Sequence, residues 1–310
     1  MDFIGKGRVI GLISAALVVV SIVLLFAPGL NLGIDFKSGT TFTYRFENVE
    51  TDAETIRSAV ASVDHPEAVV QSLGNNEFLV RISEVEDGEE PAILARVTAD
   101  VGVEPIVLDT TTVGKSVASG TVRNAFFAVI AAAIAVMAYI IYAFWSIPHA
   151  FRYAVAAVVA LGHDVALTLG VFVVLGQVIG VEVNAIFIVG ILTVIGYSVN
   201  DTIVIFDRLR ENQLIAPNRA FRATVNLSIN ETITRSLATS ITTATVVLAM
   251  LLFGGATLRD FLVVLLTGVI VGSYSSIFVA SNLLVAWESG TLGKILGAPA
   301  RRFRGQTEPV

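Results

Sequence analysis

The residues best placed to do chemistry lie in apolar surroundings. Asp201 follows Asn200 and precedes Thr202, with Ile203, Val204, Ile205 and Phe206 after it, in the stretch GYSVNDTIVIFDRLREN from Gly196 to Asn212. A carboxylate in such a run costs about 2.5–3.5 kcal/mol on insertion scales, and acids in that position mark ion paths or paired contacts. Arg235 is the candidate counter-charge. Asp201 comes 18 positions after Val183, and Arg235 comes 18 before Phe253. On two antiparallel helices both groups then lie about 27 Å from one membrane face. Burial disfavours the charged carboxylate and a nearby guanidinium favours it, so a modest helix movement would switch its protonation. The plainer alternative is a static ion pair, or an arginine resting at the interface. Gly190, Thr193, Tyr197 and Ser198 share the helical face of Asp201, and small or polar residues suit a bundle interior better than lipid.

Other polar groups are weaker candidates. His163 and Asp164 lie about 16 Å into an apolar helix by helical rise, where they would relay protons or tie a neighbouring helix. Adjacent helix residues do not share a face, so a direct His–Asp dyad is not expected. Thr239, Ser240, Thr242, Thr243 and Thr245 form a hydroxyl-rich stripe, suited to a wet cavity or to bonds with adjacent helices. Glu182 and Asn184 call for no special role. Gly114-Lys115-Ser116 resembles the end of a phosphate loop, but Asp109 stands where that loop needs glycine, so no nucleotide site is expected. With no cysteine and three histidines, Cys-based metal and redox chemistry is excluded and a His-rich metal site is not expected. No catalytic residue is assigned.

The elements that must position these groups follow from hydropathy. Of 310 residues 55% are hydrophobic and 15% charged, and the mean hydropathy is +0.78; this composition belongs to an integral membrane protein. Six apolar runs are long enough to span a bilayer: Ile10–Leu30, Ala125–Phe144, Tyr153–Leu175, Val183–Phe206, Ser236–Phe253 and Phe261–Trp287. Residues 31–122 hold 16 acids and 6 bases, against a whole-chain charge of −6. There the pattern predicts strands at Thr40–Phe46, Ala68–Leu73, Phe78–Ile82 and Pro105–Thr111. Helices are expected at Asp52–Val63 and Glu90–Val101, and a turn at Gly74-Asn75-Asn76. The β-α-β-β-α-β order suggests a small ferredoxin-like α+β domain. Arg152, Arg208, Arg210, Arg219, Arg222 and Arg235, with Lys294, Arg301, Arg302 and Arg304, fall on the side of the termini. Both termini are therefore expected in the cytoplasm, with the acidic domain outside. The expected organisation is 1–30 for the N-terminus and first span, then 31–122 for the domain outside, which the resemblance below makes periplasmic. Residues 123–287 are expected to form the bundle with a cytoplasmic loop at 207–234, and 288–310 a cytoplasmic tail.

Two stretches resemble a known family. Gly33-Ile34-Asp35-Phe36 followed by Gly39-Thr40 is similar to the GIDFxGGT motif of SecF, with Ser38 in place of the first paired glycine. Gly196–Asn212 is similar to the fourth-span signature of the same family, and the six-span layout agrees along the chain. The resemblance implies an RND-like six-helix half-bundle in the bacterial inner membrane. It implies a non-enzymatic export subunit that draws on a proton or sodium gradient and needs no cofactor. It places the family's ion-coupling acid and arginine at Asp201 and Arg235 and settles no role for His163 or Asp164; from the residues themselves Tyr197, Ser198, Asn200, His163, Asp164 and Thr239 are expected as supporting polar groups. The implied partners are SecD, the SecYEG translocon with YajC and YidC, and the exported polypeptide; nucleic acid is not among them. Two alternatives are an RND-type exporter of small molecules or lipids and a non-transporting assembly factor of the translocon.

Overall fold

The computed structural model describes residues 2–5, 7–47, 49–83, 85, 89–147, 149–255 and 258–290. The first span is α1 (Gly7–Phe26), and a single turn, α2 (Ile34–Lys37), leads from it into a small domain. That domain runs β1 (Gly39–Arg45), α3 (Ala53–Ala61), β2 (Val69–Gly74), β3 (Glu77–Ile82), α4 (Glu90–Val101) and β4 (Ile106–Val113), the order the alternation of strand and helix patterns predicts. The strands stand in the order β2-β3-β1-β4, and every neighbouring pair is antiparallel. Period-2 alternation puts Phe42, Tyr44, Phe78, Val80 and Ile82 on one face, where Ile56 and Val60 of α3 and Ile93 and Val97 of α4 cover them. Asp52 caps α3 by accepting from the Thr55 amide at 2.7 Å, and that bond holds its carboxyl below the usual range. Asn75 and Asn76 both take positive φ, as a two-residue hairpin turn requires.

The entry to β1 is a constrained turn. Gly39 has φ 138°, and a Cβ there would meet the Ile82 carbonyl oxygen at 2.4 Å, so glycine is required. Ser38 stands at φ 65° and ψ 162°, a region occupied almost only by glycine and costing of order 1–3 kcal/mol otherwise.

Five further stretches of helix complete the bundle: α5 (Lys115–Ala143), α6 (Ala150–Ile179), α7 (Ala185–Ile215), α8 (Phe221–Phe253) and α9 (Arg259–Ser275). The last continues through a π-helical turn, Ser276–Ala280, into α10 (Ser281–Glu288). Among the described residues, six helices of 18 to 33 residues are long and apolar enough to cross a membrane. The helix α7 is the hub, packing on α5, α6, α8 and α9. Glycines set its closest approach: a Cβ on Gly268 would lie 2.0 Å from Val194 Cγ2, and one on Gly272 would lie 2.9 Å from Ser198 Cβ. Small residues spaced by four let two helix backbones draw together where apolar burial offers no advantage over lipid.

Two expectations change. The predicted loop 207–234 is helical except at residues 216–220, since α7 runs on to Ile215 and α8 begins at Phe221. Polarity had marked a membrane exit, and no proline or glycine lies in 221–234 to end a helix. Arg208 donates to Glu231 at 2.7 Å and Asn212 donates to Ser228 at 3.0 Å, tying the extended arms together. The last span is not one α-helix, because the π turn inserts a residue beside the buried Ser275 and Ser276. Lys6 and residues 291–310, including most of the predicted tail, lie outside the described residues.

Two substitutions test this packing. Gly268→Ala should cost about 1–3 kcal/mol by forcing α7 from α9, read as a lower melting temperature in detergent; Gly11→Ala, which meets nothing within 4 Å, should leave it unchanged. Ser38→Gly should raise stability by about 1 kcal/mol, having relieved the strained φ.

Candidate functional site

Asp201 faces inward from α7 and is 4% exposed. Its Oδ2 has no hydrogen-bond partner among the described residues, and neither has the buried Ser236 hydroxyl of α8, which stands beside it. Arg235 is the neighbouring residue on α8, so helix arithmetic brought the right turns of α7 and α8 together. The two charges do not close an ion pair. Arg235 is exposed and reaches Asp201 only through its field, and its side chain lines an open cavity of about 630 Å³ with Tyr139, Asp207 and Glu231. The acid is thus buried with a cation nearby that makes no bond to it.

The supporting groups divide in two. Ser198 is buried, while Tyr197 is half-buried and donates to Ser240 at 3.3 Å. Asn200 and Thr193 on α7, and Thr239, Thr242 and Thr245 on α8, are exposed on the outer surface of the bundle. Each of these threonine hydroxyls donates to a carbonyl of its own helix, so within the stripe it is Ser240, reached by Tyr197 of α7 and by Ser273 of α9 at 2.6 Å, that bonds to neighbouring helices. The stripe presents small side chains and one arginine, a surface suited to another helix and poorly suited to lipid.

His163 and Asp164 require a correction. The expected divergence of adjacent helix positions does not keep them apart: His163 Nδ1 lies 3.0 Å from Asp164 Oδ1. Nδ1 is close to the backbone end of the ring and the aspartate is short, so the two side chains meet across the 100° step. Asp164 Oδ2 accepts from Ser198 at 2.5 Å and from Ser275 at 2.7 Å, joining α6, α7 and α9. Ser276 and Thr202 hydroxyls lie 2.8 Å apart one step along. The serines of α9 had drawn no attention in the sequence; the signal was the run Ser273-Tyr274-Ser275-Ser276 within an apolar span.

A second missed group lies where α7 begins. Asn184 caps the helix by accepting from the Phe187 amide at 2.9 Å. Asp35, from the motif after α1, accepts from the Ala185 amide at 2.8 Å. Val183 donates to the Asn31 carbonyl and Gly33 to the Val183 carbonyl, both at 2.8 Å. Glu182 forms a largely buried ion pair with Arg81 of β3, and Arg81 also donates to the Leu32 carbonyl at 3.3 Å. Burial pulls the Arg81 guanidinium down to about 10, which leaves it charged at neutral pH. Glu182 and Asn184, given no role by position, thus join the small domain, the α1 exit and the first turn of α7. Gly33, Asp35 and Gly39 serve this joint and do not touch Asp201.

Comparison with known proteins agrees along the chain. The family described as protein export membrane protein SecD/SecF, C-terminal, matches residues 93–290, and the SecD/SecF GG motif matches residues 23–48. A protein translocase subunit SecF from Thermobaculum terrenum is 39% identical over 289 residues, covering 90% of this chain and 91% of its own. A protein translocase subunit SecDF from Thermus thermophilus is 36% identical over 297 residues, 93% of this chain and 38% of that longer one. The crystal structure of SecDF from Thermus thermophilus, described as a translocon-associated membrane protein, superposes with a TM-score of 0.83 at 35% identity, covering 93% of this chain and 39% of that one. By its family match, and by its likeness to the SecF subunit over nine-tenths of both chains, the chain belongs to the SecD/SecF family of protein-export membrane proteins.

Proposed function

We propose that this chain is the SecF-type half of an export machine in the bacterial inner membrane, working with a SecD partner and driven by a proton or sodium gradient. The observation that carries the reading is the carboxyl of Asp201, buried in a spanning helix with an orphaned oxygen and a cation near but unpaired. An acid held this way costs energy that a static tie would not need, and a potential of about 100 mV supplies about 2.3 kcal/mol per charge to move an ion through it. The role is mechanical, without a cofactor or a bond-making step. The partner is SecD because the relative from Thermus thermophilus carries both names in one chain, and the exposed stripe of Asn200, Arg235 and Thr239 offers its helices a docking face. The SecYEG translocon, YajC, YidC and the emerging polypeptide are the further contacts this role requires.

The small domain is read as a ferredoxin-like domain in the periplasm, because its strand order β4-β1-β3-β2 suits that fold and the arginines gather at the opposite end of the bundle. The joint between Asp35, Glu182, Arg81 and the first turn of α7 then supplies the coupling. Asp201 lies on the helix whose start is fastened to the periplasmic domain, so a shift of α7 on ion binding moves that domain.

Asp201→Asn should assemble with SecD at normal levels and lose the gradient-dependent part of export in inverted membrane vesicles; undiminished export would refute ion coupling at this residue. The joint is tested by charge exchange. Arg81→Glu should abolish the coupling, since stranding one partner of a buried pair costs about 3–5 kcal/mol. Adding Glu182→Arg should restore export, and a double variant as inactive as the single one would count against the joint.

A further inference from the structure

The bundle holds a second titratable group that the Asp201 reading leaves unused. Asp164 is 1% exposed and His163 6%, about mid-way along α6. The donors around Asp164 are two neutral hydroxyls, Ser198 and Ser275, and the His163 ring. Among the described residues no lysine or arginine lies within 4.0 Å of Asp164, and His163 is its sole ion-pair partner. With Nδ1–H directed at Asp164, the buried Nε2 of His163 is left without a partner.

Charge accounting then decides what the pair can do. With a neutral imidazole the pair carries −1 in a low-dielectric interior, which is costly. One added proton makes the pair net zero, as an imidazolium against a carboxylate or as an Nε2–H imidazole accepting from the carboxylic acid, and either form keeps the three contacts to Asp164. The surroundings hold no other group to do this. From α9, Tyr274 stacks on the imidazole at 6.1 Å, and its hydroxyl is shared with Ser14 of α1 at 2.8 Å. The apolar length of α1, Val9–Phe26, has no charged residue, and neither has α5 from Asn124 to Ala143, where Tyr139 and Tyr142 are exposed. The Arg152–Glu288 pair of α6 and α10 is satisfied within itself at the end of the bundle. On α7 the titratable groups on either side of Ser198 are Tyr197, whose hydroxyl donates to Ser240, and Asp201. The Ser198 hydroxyl donates to Asp164 while its carbonyl accepts from Thr202 and Ser276 at 3.2 Å, and Thr202 adjoins Asp201.

We propose that His163 and Asp164 form a buried proton-binding pair that holds one exchangeable proton, packed through Ser198 against the helix that carries Asp201. The pair does not rest on the ion-coupling reading above.

Histidine-selective ¹⁵N NMR on the full chain, co-purified with SecD in lipid nanodiscs, tests it. The chain has three histidines, His65, His149 and His163, so loss of one signal in His163→Gln assigns the pair. Across a pH titration the His163 nitrogens should report the uptake of one proton by the pair, as imidazolium or as exchange between the neutral tautomers. Asp164→Asn should abolish or displace that transition. A His163 whose nitrogens keep one protonation and tautomeric state at every pH, or titrate identically in Asp164→Asn, overturns the proposal, and the pair is then a fixed tie between helices. If Asp201→Asn exports at full rate while His163 still titrates with Asp164, the Asp201 reading falls and the proton-binding pair stands.

Discussion

Inside a bilayer there is no water to complete a hydrogen bond, so every buried polar atom must be answered by another part of the bundle. The bundle answers Asp164 fully, with two hydroxyls and an imidazole, but leaves one oxygen of Asp201 unanswered. These two acids lie in one interior and meet different fates. A carboxylate with three donors fixes the helices that supply them. A carboxylate with an unanswered oxygen near an unpaired arginine ties no helices in this way, so the two acids hold the bundle differently.

The scaffold depends on backbone proximity before it depends on polar chemistry. A serine hydroxyl reaches little beyond its own Cβ, so Asp164 can accept from both α7 and α9 only if those helices stand nearly in contact. Gly268 and Gly272 provide that contact, and the π turn then sets Ser275 and Ser276 at consecutive levels of the network. One geometric element thus fixes the spacing of the hydroxyls, and the hydroxyls fix the acid.

The six spans were legible because long apolar runs have few alternatives, and the α+β order was legible because period 2 and period 3.6 alternate cleanly through residues 39–113. Helix ends were not: Asp207 to Thr234 read as a loop because charge marks water, whereas helices continue into water wherever nothing breaks them. The right turn of α8 came from counting from Phe253, but the missing ion pair did not, since depth along an axis says nothing of rotation about it. Arg81 and Glu182 are 101 positions apart in the chain, and no local pattern links a strand residue to an interhelical turn. His163 and Asp164 failed for the opposite reason. The rule that neighbours diverge describes Cβ directions, and a ring nitrogen close to the backbone escapes it.

The joint at the start of α7 gives the helix its mechanical meaning. Asp35 and Asn184 hold its first amides, and Arg81 holds the preceding turn through Glu182. From Ala185 to Asp201 the helix runs about 24 Å without a proline, and an unbroken helix transmits axial displacement and rotation along its length. A helix fastened at one end and carrying an incompletely satisfied acid further along has two places where small energies act, and each is felt at the other. The motif after α1 therefore acts on this helix without approaching Asp201: it determines what the far end of α7 is attached to.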